Sequence, residues 1–268
     1  MTATPVAPIA FFDVDETLIN TKSMFDFLRF HLGEETYIRE AERLRAMAQA
    51  GADRSEVNRA YYRLYAGALW SDLLAQGRRW YEEIRSGRRI GPPLIASTLA
   101  ALRHHRTAGH RIALVSGSFL PCLAPLAEHL GADTVLCTDP VRNGQGKLTG
   151  EVIRPVIGPH KVAVAREAAA REGVPMTDCY AYGDHASDLD LLRAAGRPHV
   201  VGGDPLLMEH AHRYGWPVLS TAVLVTEPTP TGGLCAVVSS PCGGGCSVAA
   251  WSMPDDLAAD WECTAAAR

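Results

Sequence analysis

The sequence contains no run of about 18 apolar residues, so no membrane-spanning helix is expected. It has no block of Lys or Arg, and its net charge is -4, which argues against nucleic acid as a partner. The opening residues, Met1-Thr2-Ala3-Thr4-Pro5, lack a basic stretch followed by an apolar one. No secretory signal is expected, and the cytoplasm is the expected location. Cysteine is sparse through most of the chain. Of seven, Cys122, Cys137 and Cys179 stand singly in apolar surroundings and read as core residues. Cys235, Cys242, Cys246 and Cys263 fall within the last 34 residues, with no histidine near them to complete a zinc site. What remains is an ordinary globular composition, 47% apolar and 21% charged over 268 residues. That length suits one domain with an insertion, or two domains.

One stretch organises the rest. The short apolar run from Val6 to Phe12 reads as a buried strand, and Asp13-Val14-Asp15-Glu16-Thr17 follows it directly. Residues i and i+2 of a strand point the same way, so the Asp13 and Asp15 carboxylates can face one pocket. Like charges so close call for a metal, a shared proton or divided acid and nucleophile roles; alternatively, the pair is a polar turn.

From Ser23 to Arg89 the pattern is helical, with breaks near Gly51-Ala52-Asp53, Gly67 and Gly77. Three or four helices are expected there. The stripe Tyr61, Tyr62, Leu64, Tyr65, Leu69 and Trp70 reads as packing between them rather than as a substrate cage. Beyond Gly91-Pro92-Pro93, helix and strand alternate: a helix to a C-terminal Gly109, a strand at 111–115, a helix at 120–130 that Pro125 should kink or break, and a strand at 134–137. A hairpin arm at 147–153 follows the Asn143-Gly144 turn. Helices at 160–172, 188–195 and 205–214 then alternate with strands ending near Asp184, Val201 and Leu219. The expected fold is α/β: a doubly wound, Rossmann-like parallel sheet with an all-helical cap inserted after the first strand. The core would comprise residues 1–19 and 91–222, the cap 20–90, and a Cys/Gly-rich extension 223–268.

Three further strand ends carry polar chemistry. Ser116-Gly117-Ser118 offers a hydroxyl and free backbone N–H groups, either a phosphate cradle or a simple helix cap. Lys161 stands at the opening of a helix, where a cation opposes the helix dipole; an anion beside Ser116 would rationalise it. Gly183-Asp184 ends a strand and Asp188 lies in the next turn, so with Asp13 they offer the hard oxygen ligands that Mg²⁺ takes.

The set Asp-x-Asp-x-Thr at 13–17, Ser116, Lys161 and Gly-Asp-x-x-x-Asp at 183–188 resembles the haloacid-dehalogenase-like hydrolases. The insertion between the first motif and Ser116 looks like the phosphoserine-phosphatase branch. The resemblance spans about residues 6–220. It implies a Mg²⁺-dependent phosphatase acting through an aspartyl-phosphate: Asp13 as nucleophile, Asp15 as general acid and base, and Ser116, Gly117 and Lys161 on the phosphoryl oxygens. The metal would be held by Asp13, the Asp15 carbonyl and Asp184, with Asp188 bracing its waters. A small phosphorylated metabolite is the implied partner. A phosphotransferase using the same intermediate is the alternative.

Two positions depart from that branch. Asn20 and Lys22 stand near where it carries an acidic residue for the substrate ammonium, and Ser187 stands where it has Asn. A lysine cannot pair with an ammonium. Lys22 and Ser187 are therefore candidate contacts to a different substrate, a phosphorylated sugar, polyol or biosynthetic intermediate rather than phosphoserine. Tyr37, Arg43 and Arg45 are candidate cap contacts. In the extension, 226–233 reads as a linker, and the Cys-rich stretch after Gly232-Gly233 reads as a flexible tail, a modified-peptide segment, or a disulfide or metal site at Cys242 and Cys246. A scaffold whose role lies in that tail is the non-enzymatic reading, against which the intact acidic set argues.

Overall fold

The computed structural model describes residues 6–91, 93–228 and 234–239. Strand β1 (Ile9–Phe12) leads to four helices, α1 (Ser23–Leu32), α2 (Glu34–Gln49), α3 (Arg54–Arg63) and α4 (Trp70–Arg85). Then come α5 (Ala96–Thr107), β2 (Arg111–Ser116), α6 (Leu120–Leu130), β3 (Thr134–Cys137), β4 (Pro140–Arg142) and β5 (Leu148–Val152). The alternation continues through α7 (Pro159–Arg171), β6 (Tyr180–Gly183), α8 (Leu189–Ala194), β7 (Arg197–Val201), α9 (Pro205–Tyr214) and β8 (Val218–Leu219). Strands β9 (Val223–Pro228) and β10 (Leu234–Ser239) follow. Among the described residues no helix is long and apolar enough to cross a membrane.

Six strands form one parallel sheet in the order β3-β2-β1-β6-β7-β8. This is the expected Rossmann-like α/β sheet. Every residue of β1 is buried, as a central strand covered on both faces requires. Phe11 packs on one side with Ala165 of α7 and Leu191 of α8. Ala10 and Phe12 pack on the other with Leu99 of α5 and Leu123 of α6. The chain winds from β1 to β3 in one direction, then returns to β6 and winds in the other. The loops after β1 and β6 diverge at that switch point and open a crevice at the carboxyl ends of the strands.

Helices α1–α4 form a layer joined to the sheet by two strands of linker running side by side. Asn20 N–H donates to the Pro93 carbonyl, and Ile95 N–H to that of Leu18. The hairpin β4–β5 meets the layer through backbone bonds from Gly67 N to Leu148 O and from Trp70 N to Gly146 O. Asn143 Oδ1 accepts from Gln145 N and Lys147 N, and Gly146 takes the left-handed conformation, so this turn is wider than a two-residue one. Tyr61, Tyr62 and Tyr65 are fully buried, and with Phe27 and Trp70 they surround Phe119 at ring separations of 5.1–6.3 Å. The stripe is packing between the layer and α6. Cys122 and Cys179 are buried, and Cys137 is half-buried.

Two expected breaks do not occur. Helix α4 continues through Gly77, and α6 runs from Leu120 to Leu130 with Pro125 inside it. The two facts share a cause. Pro125 has no N–H to give the Pro121 carbonyl, and that carbonyl lies against Gly77, where an added Cβ would stand 1.9 Å from its oxygen. Gly77 is there for close approach, not for a turn. Alanine in a helix interior is normally worth about 1 kcal/mol over glycine, but this contact reverses the sign. Gly77→Ala is expected to destabilise by about 1–3 kcal/mol, read as a lower urea midpoint with an unchanged slope.

The start of the C-terminal extension also differs from expectation. Residues 223–228 pair antiparallel with 234–239, so part of the linker-like stretch is strand. Val223, Val225, Thr226, Val237 and Val238 are the β-branched residues that favour this pairing, against the Pro and Gly that flank it. Cys235 lies on β10, while Cys242, Cys246 and Cys263 lie outside the described residues.

Candidate active site

The turn after β1 sets the site. Val14 O accepts from the N–H groups of Leu18 and Ile19, and Glu16 adopts φ 69°, the left-handed conformation that non-glycine residues take at a cost. This tight turn folds Thr17 back, fully buried, where its Oγ1 donates to Asp184 Oδ1 at 2.8 Å. The Thr17 carbonyl accepts in turn from Thr98 Oγ1 of α5. Asp13 N–H donates to the Tyr182 carbonyl of β6, which locks the two strand ends in register.

Asp13, Asp184 and Asp188 converge, each offering a carboxylate oxygen within 4.8 Å of the others. Lys161, in the first turn of α7, reaches into them: Nζ lies 2.7 Å from Asp13 Oδ1 and 2.5 Å from Asp188 Oδ1. Burial alone would lower the lysine's pKa, but the two carboxylates more than offset it and hold Lys161 above its ordinary value. Burial pushes the Asp184 carboxyl up to about 8, helped by the charges of Asp13 and Asp188. Asp188 is likewise raised by burial, with Lys161 opposing. Among the described residues one ammonium thus pairs with two of these three carboxylates. A cluster of this kind, oxygen-only and short of positive charge, fits a divalent hard cation. Asp188 is fully buried behind the other two, its Oδ1 held by Lys161 and its Oδ2 accepting from His185 N–H.

Asp15 sits apart from the cluster. Its Oδ1 accepts from Ser23 N–H at 2.9 Å, and burial pushes its pKa up to about 6, with the charge of Asp13 adding to the rise. Ser116 ends β2 fully buried, and its Oγ accepts from Ser118 N–H at 3.0 Å. The Gly117 carbonyl is pinned by three donors: Asn58 Nδ2, Tyr62 Oη and Thr138 Oγ1. Asp13, Asp15, Asn58, Ser116, Lys161 and Asp184 border one cleft of about 60 Å³, with Glu16, Lys22, Arg54, His185 and Ser187 at its rim.

A profile of the haloacid dehalogenase-like hydrolases matches residues 10–193. The chain belongs to that family. The matched span begins in β1 and ends in α8, so it takes in the three strand ends and the α7 opening that build the cleft. The hydrolase is similar to the inhibition of morphological differentiation protein of Streptomyces azureus, 34% identical over 78% of this chain and 77% of that one. It is also similar to a probable phosphatase of Mycobacterium tuberculosis, 32% identical over 94% of this chain and 89% of that one. A crystal structure of a Bordetella pertussis Tohama I protein of unknown function, 27% identical, superposes with a TM-score of 0.69 over 80% of this chain and 99% of that one.

At the rim of this hydrolase, Lys22 is ion-paired with Glu16, and Ser187 Oγ accepts from Arg54 Nη1 at 3.1 Å. Both candidate substrate contacts therefore border the cleft. The candidates on α2 do not: Tyr37 lies under the Arg29 guanidinium, Arg43 pairs with Glu40, and Arg45 is exposed. Arg54 and Asn58, one turn apart on α3, take the place assigned to them. Asp53 caps α3 through the Glu56 N–H, and Glu56 returns the bond to the Asp53 N–H. That capping box was a legible marker of where α3 starts, but nothing local showed which side of α3 meets the cleft. His185 was also passed over. Its Nδ1 accepts from Ser187 N–H at 3.0 Å, which leaves its proton on Nε2.

Proposed function

We propose that this hydrolase is a Mg²⁺-dependent phosphatase of a small phosphomonoester, working through an aspartyl-phosphate on Asp13. The observation that carries the reading is the seat of Asp13: buried, 2.7 Å from Lys161, and beside two further carboxylates. Asp13, Asp184 and the Asp15 carbonyl would hold the metal, with Asp188 bracing it from behind; when bound the metal supplies positive charge to the phosphoryl oxygens. Lys161, Ser116 and the Gly117 backbone complement the same oxygens. An Asp13 oxygen attacks phosphorus, the ester P–O bond breaks, and Asp15 gives its proton to the departing alkoxide. Asp15, now a carboxylate, takes a proton from water as that water attacks phosphorus, and the Asp13–phosphorus bond breaks. A carboxyl poised near pH 6 serves both directions of this transfer.

The rim supports a leaving group with a second anionic part. Lys22 and Arg54 border the cleft, and no carboxylate among the described residues lies within ion-pair distance of Arg54. Phosphoserine, with an ammonium to place, is disfavoured. The test is phosphate release from a panel of alkyl, sugar, carboxylate-bearing and amino-acid phosphates, with Mg²⁺ and then with EDTA. Chelation is expected to cost ~100-fold or more, reversed by excess Mg²⁺, and esters whose leaving group carries an anionic part and no ammonium should rank above phosphoserine. Release that persists in EDTA, or that is absent for every ester, would sink the proposal.

A further inference from the structure

We infer that Asn58 reads a hydroxyl group on the leaving alcohol, close to the phosphorylated oxygen; this rests on reading the cleft as a phosphomonoester site. Asn58 is 5% exposed and borders the cleft beside Ser116 and Gly117. Its Nδ2 donates to the Gly117 carbonyl at 3.1 Å. That bond fixes the amide, because the reversed orientation would set oxygen against oxygen. The other end of the amide, Oδ1, is buried, and no group among the described residues donates to it. A buried acceptor without a donor is costly, and native structures seldom keep one without a use.

The surroundings narrow the donor. The bond to Gly117 puts Asn58 beside the phosphate loop, so its partner lies on the first carbons of the alcohol and not at a distant end. Oδ1 is neutral, and Lys22, Arg54 and Lys161 border the same cleft. The cleft also holds Asp13, Asp15, Glu16 and Asp184, but Lys161 and Lys22 are already paired with carboxylates. Among the described residues the charge left without a carboxylate partner at the rim is that of Arg54, which favours a neutral hydroxyl over an ammonium. The tether to Gly117 does not account for Asn58, since Tyr62 and Thr138 hold the same carbonyl. Oδ1 is screened from solvent with α3 seated on Gly117, so the inference includes a shift of α3 that admits the donor.

Three matched esters test this: 2-hydroxyethyl phosphate, ethyl phosphate and 2-aminoethyl phosphate. Their affinities, with Mg²⁺, are measured by calorimetry on full-length Asp13→Asn and on the Asp13→Asn/Asn58→Ala double variant. Their kcat/KM values are measured on wild type and Asn58→Ala. With Asn58 present, the hydroxy ester is expected to bind and turn over about 10-fold better than the ethyl ester. With Asn58→Ala that ratio should collapse to about 2-fold or less. Asn58→Leu fills a similar volume with no acceptor, so it should collapse the ratio as alanine does; it also serves if the alanine variant fails to fold. A purely structural role would weaken both esters alike and leave the ratio standing, which overturns the inference. Preference for the amino ester overturns the hydroxyl assignment. Hydroxyl-dependent binding without turnover in wild type would sustain the Asn58 inference and sink the phosphatase. No binding of any ester would sink both.

Discussion

Asp13→Asn should abolish phosphate release while leaving the fold as stable as wild type or more so. Asparagine keeps the shape and loses the charge that makes the oxygen a nucleophile. Removing a covalent nucleophile costs an enzyme roughly 10⁴- to 10⁶-fold in turnover. The stability half follows from the cluster. Among the described residues one ammonium pairs with two of the three carboxylates Asp13, Asp184 and Asp188, and the charge of Asp13 is one reason the Asp184 carboxyl is raised to about 8. Deleting that charge relieves repulsion on two neighbours at the cost of one 2.7 Å ion pair, and Lys161 keeps Asp188 at 2.5 Å. In metal-free buffer the melting temperature of Asp13→Asn should therefore match or exceed that of wild type. The stabilisation that Mg²⁺ gives should shrink, because one ligand oxygen has lost its charge. Residual turnover within about tenfold of wild type would exclude Asp13 as the nucleophile. A large loss of stability would mean that the ion pair, not the crowding, dominates the cluster.

How much of this was legible in the sequence depends on how local the information is. Asp13, Asp15, Ser116, Lys161, Asp184 and Asp188 each sit at a strand end or a helix opening, and short apolar runs mark those places. A parallel sheet then brings strand ends together without further information, so a one-dimensional reading reaches the cleft. The helical layer gives no such guide. A helix has several faces, and which of them meets the sheet is decided by packing: Tyr62 and Asn58 on Gly117, Phe119 among Tyr61, Tyr65 and Phe27. Hence the sequence pattern points to Tyr37, Arg43 and Arg45 on α2, while Arg54 and Asn58 on α3 are the residues at the cleft. Gly77 shows the same limit in reverse. Its glycine looked like a helix break, because the carbonyl that needs the space belongs to a helix 44 residues later. The hairpin β9–β10 was hidden by its flanking Pro and Gly, which spoke for a linker more loudly than the valines spoke for strands.

Lys161→Met should lose turnover as Asp13→Asn does and lose stability as Asp13→Asn does not. Methionine is close to lysine in length and fills much of the same space, so the change is chiefly the removal of charge. Lys161 is 4% exposed and holds two buried carboxylates, and it is the cation paired with this cluster. Breaking a buried ion pair by removing one partner costs about 3–5 kcal/mol, because the other charge stays buried. At about 2–4 °C per kcal/mol for a chain of this size, the metal-free melting temperature should fall by roughly 10 °C. Mg²⁺ should recover much of that fall, since a divalent cation among Asp13, Asp184 and Asp188 supplies the missing charge. The Mg²⁺-induced rise should exceed that of wild type. Turnover should not recover with it. The ammonium is also the proposed partner of a phosphoryl oxygen, a role worth roughly 10²–10³-fold in rate. Melting curves and phosphate release, each with Mg²⁺ and with EDTA, separate the two roles. If Mg²⁺ restored both stability and turnover, Lys161 would be a structural counter-ion alone. If metal-free stability were unchanged, the carboxylates would already be neutralised by protons, and the cluster would be a weaker metal site than its geometry implies.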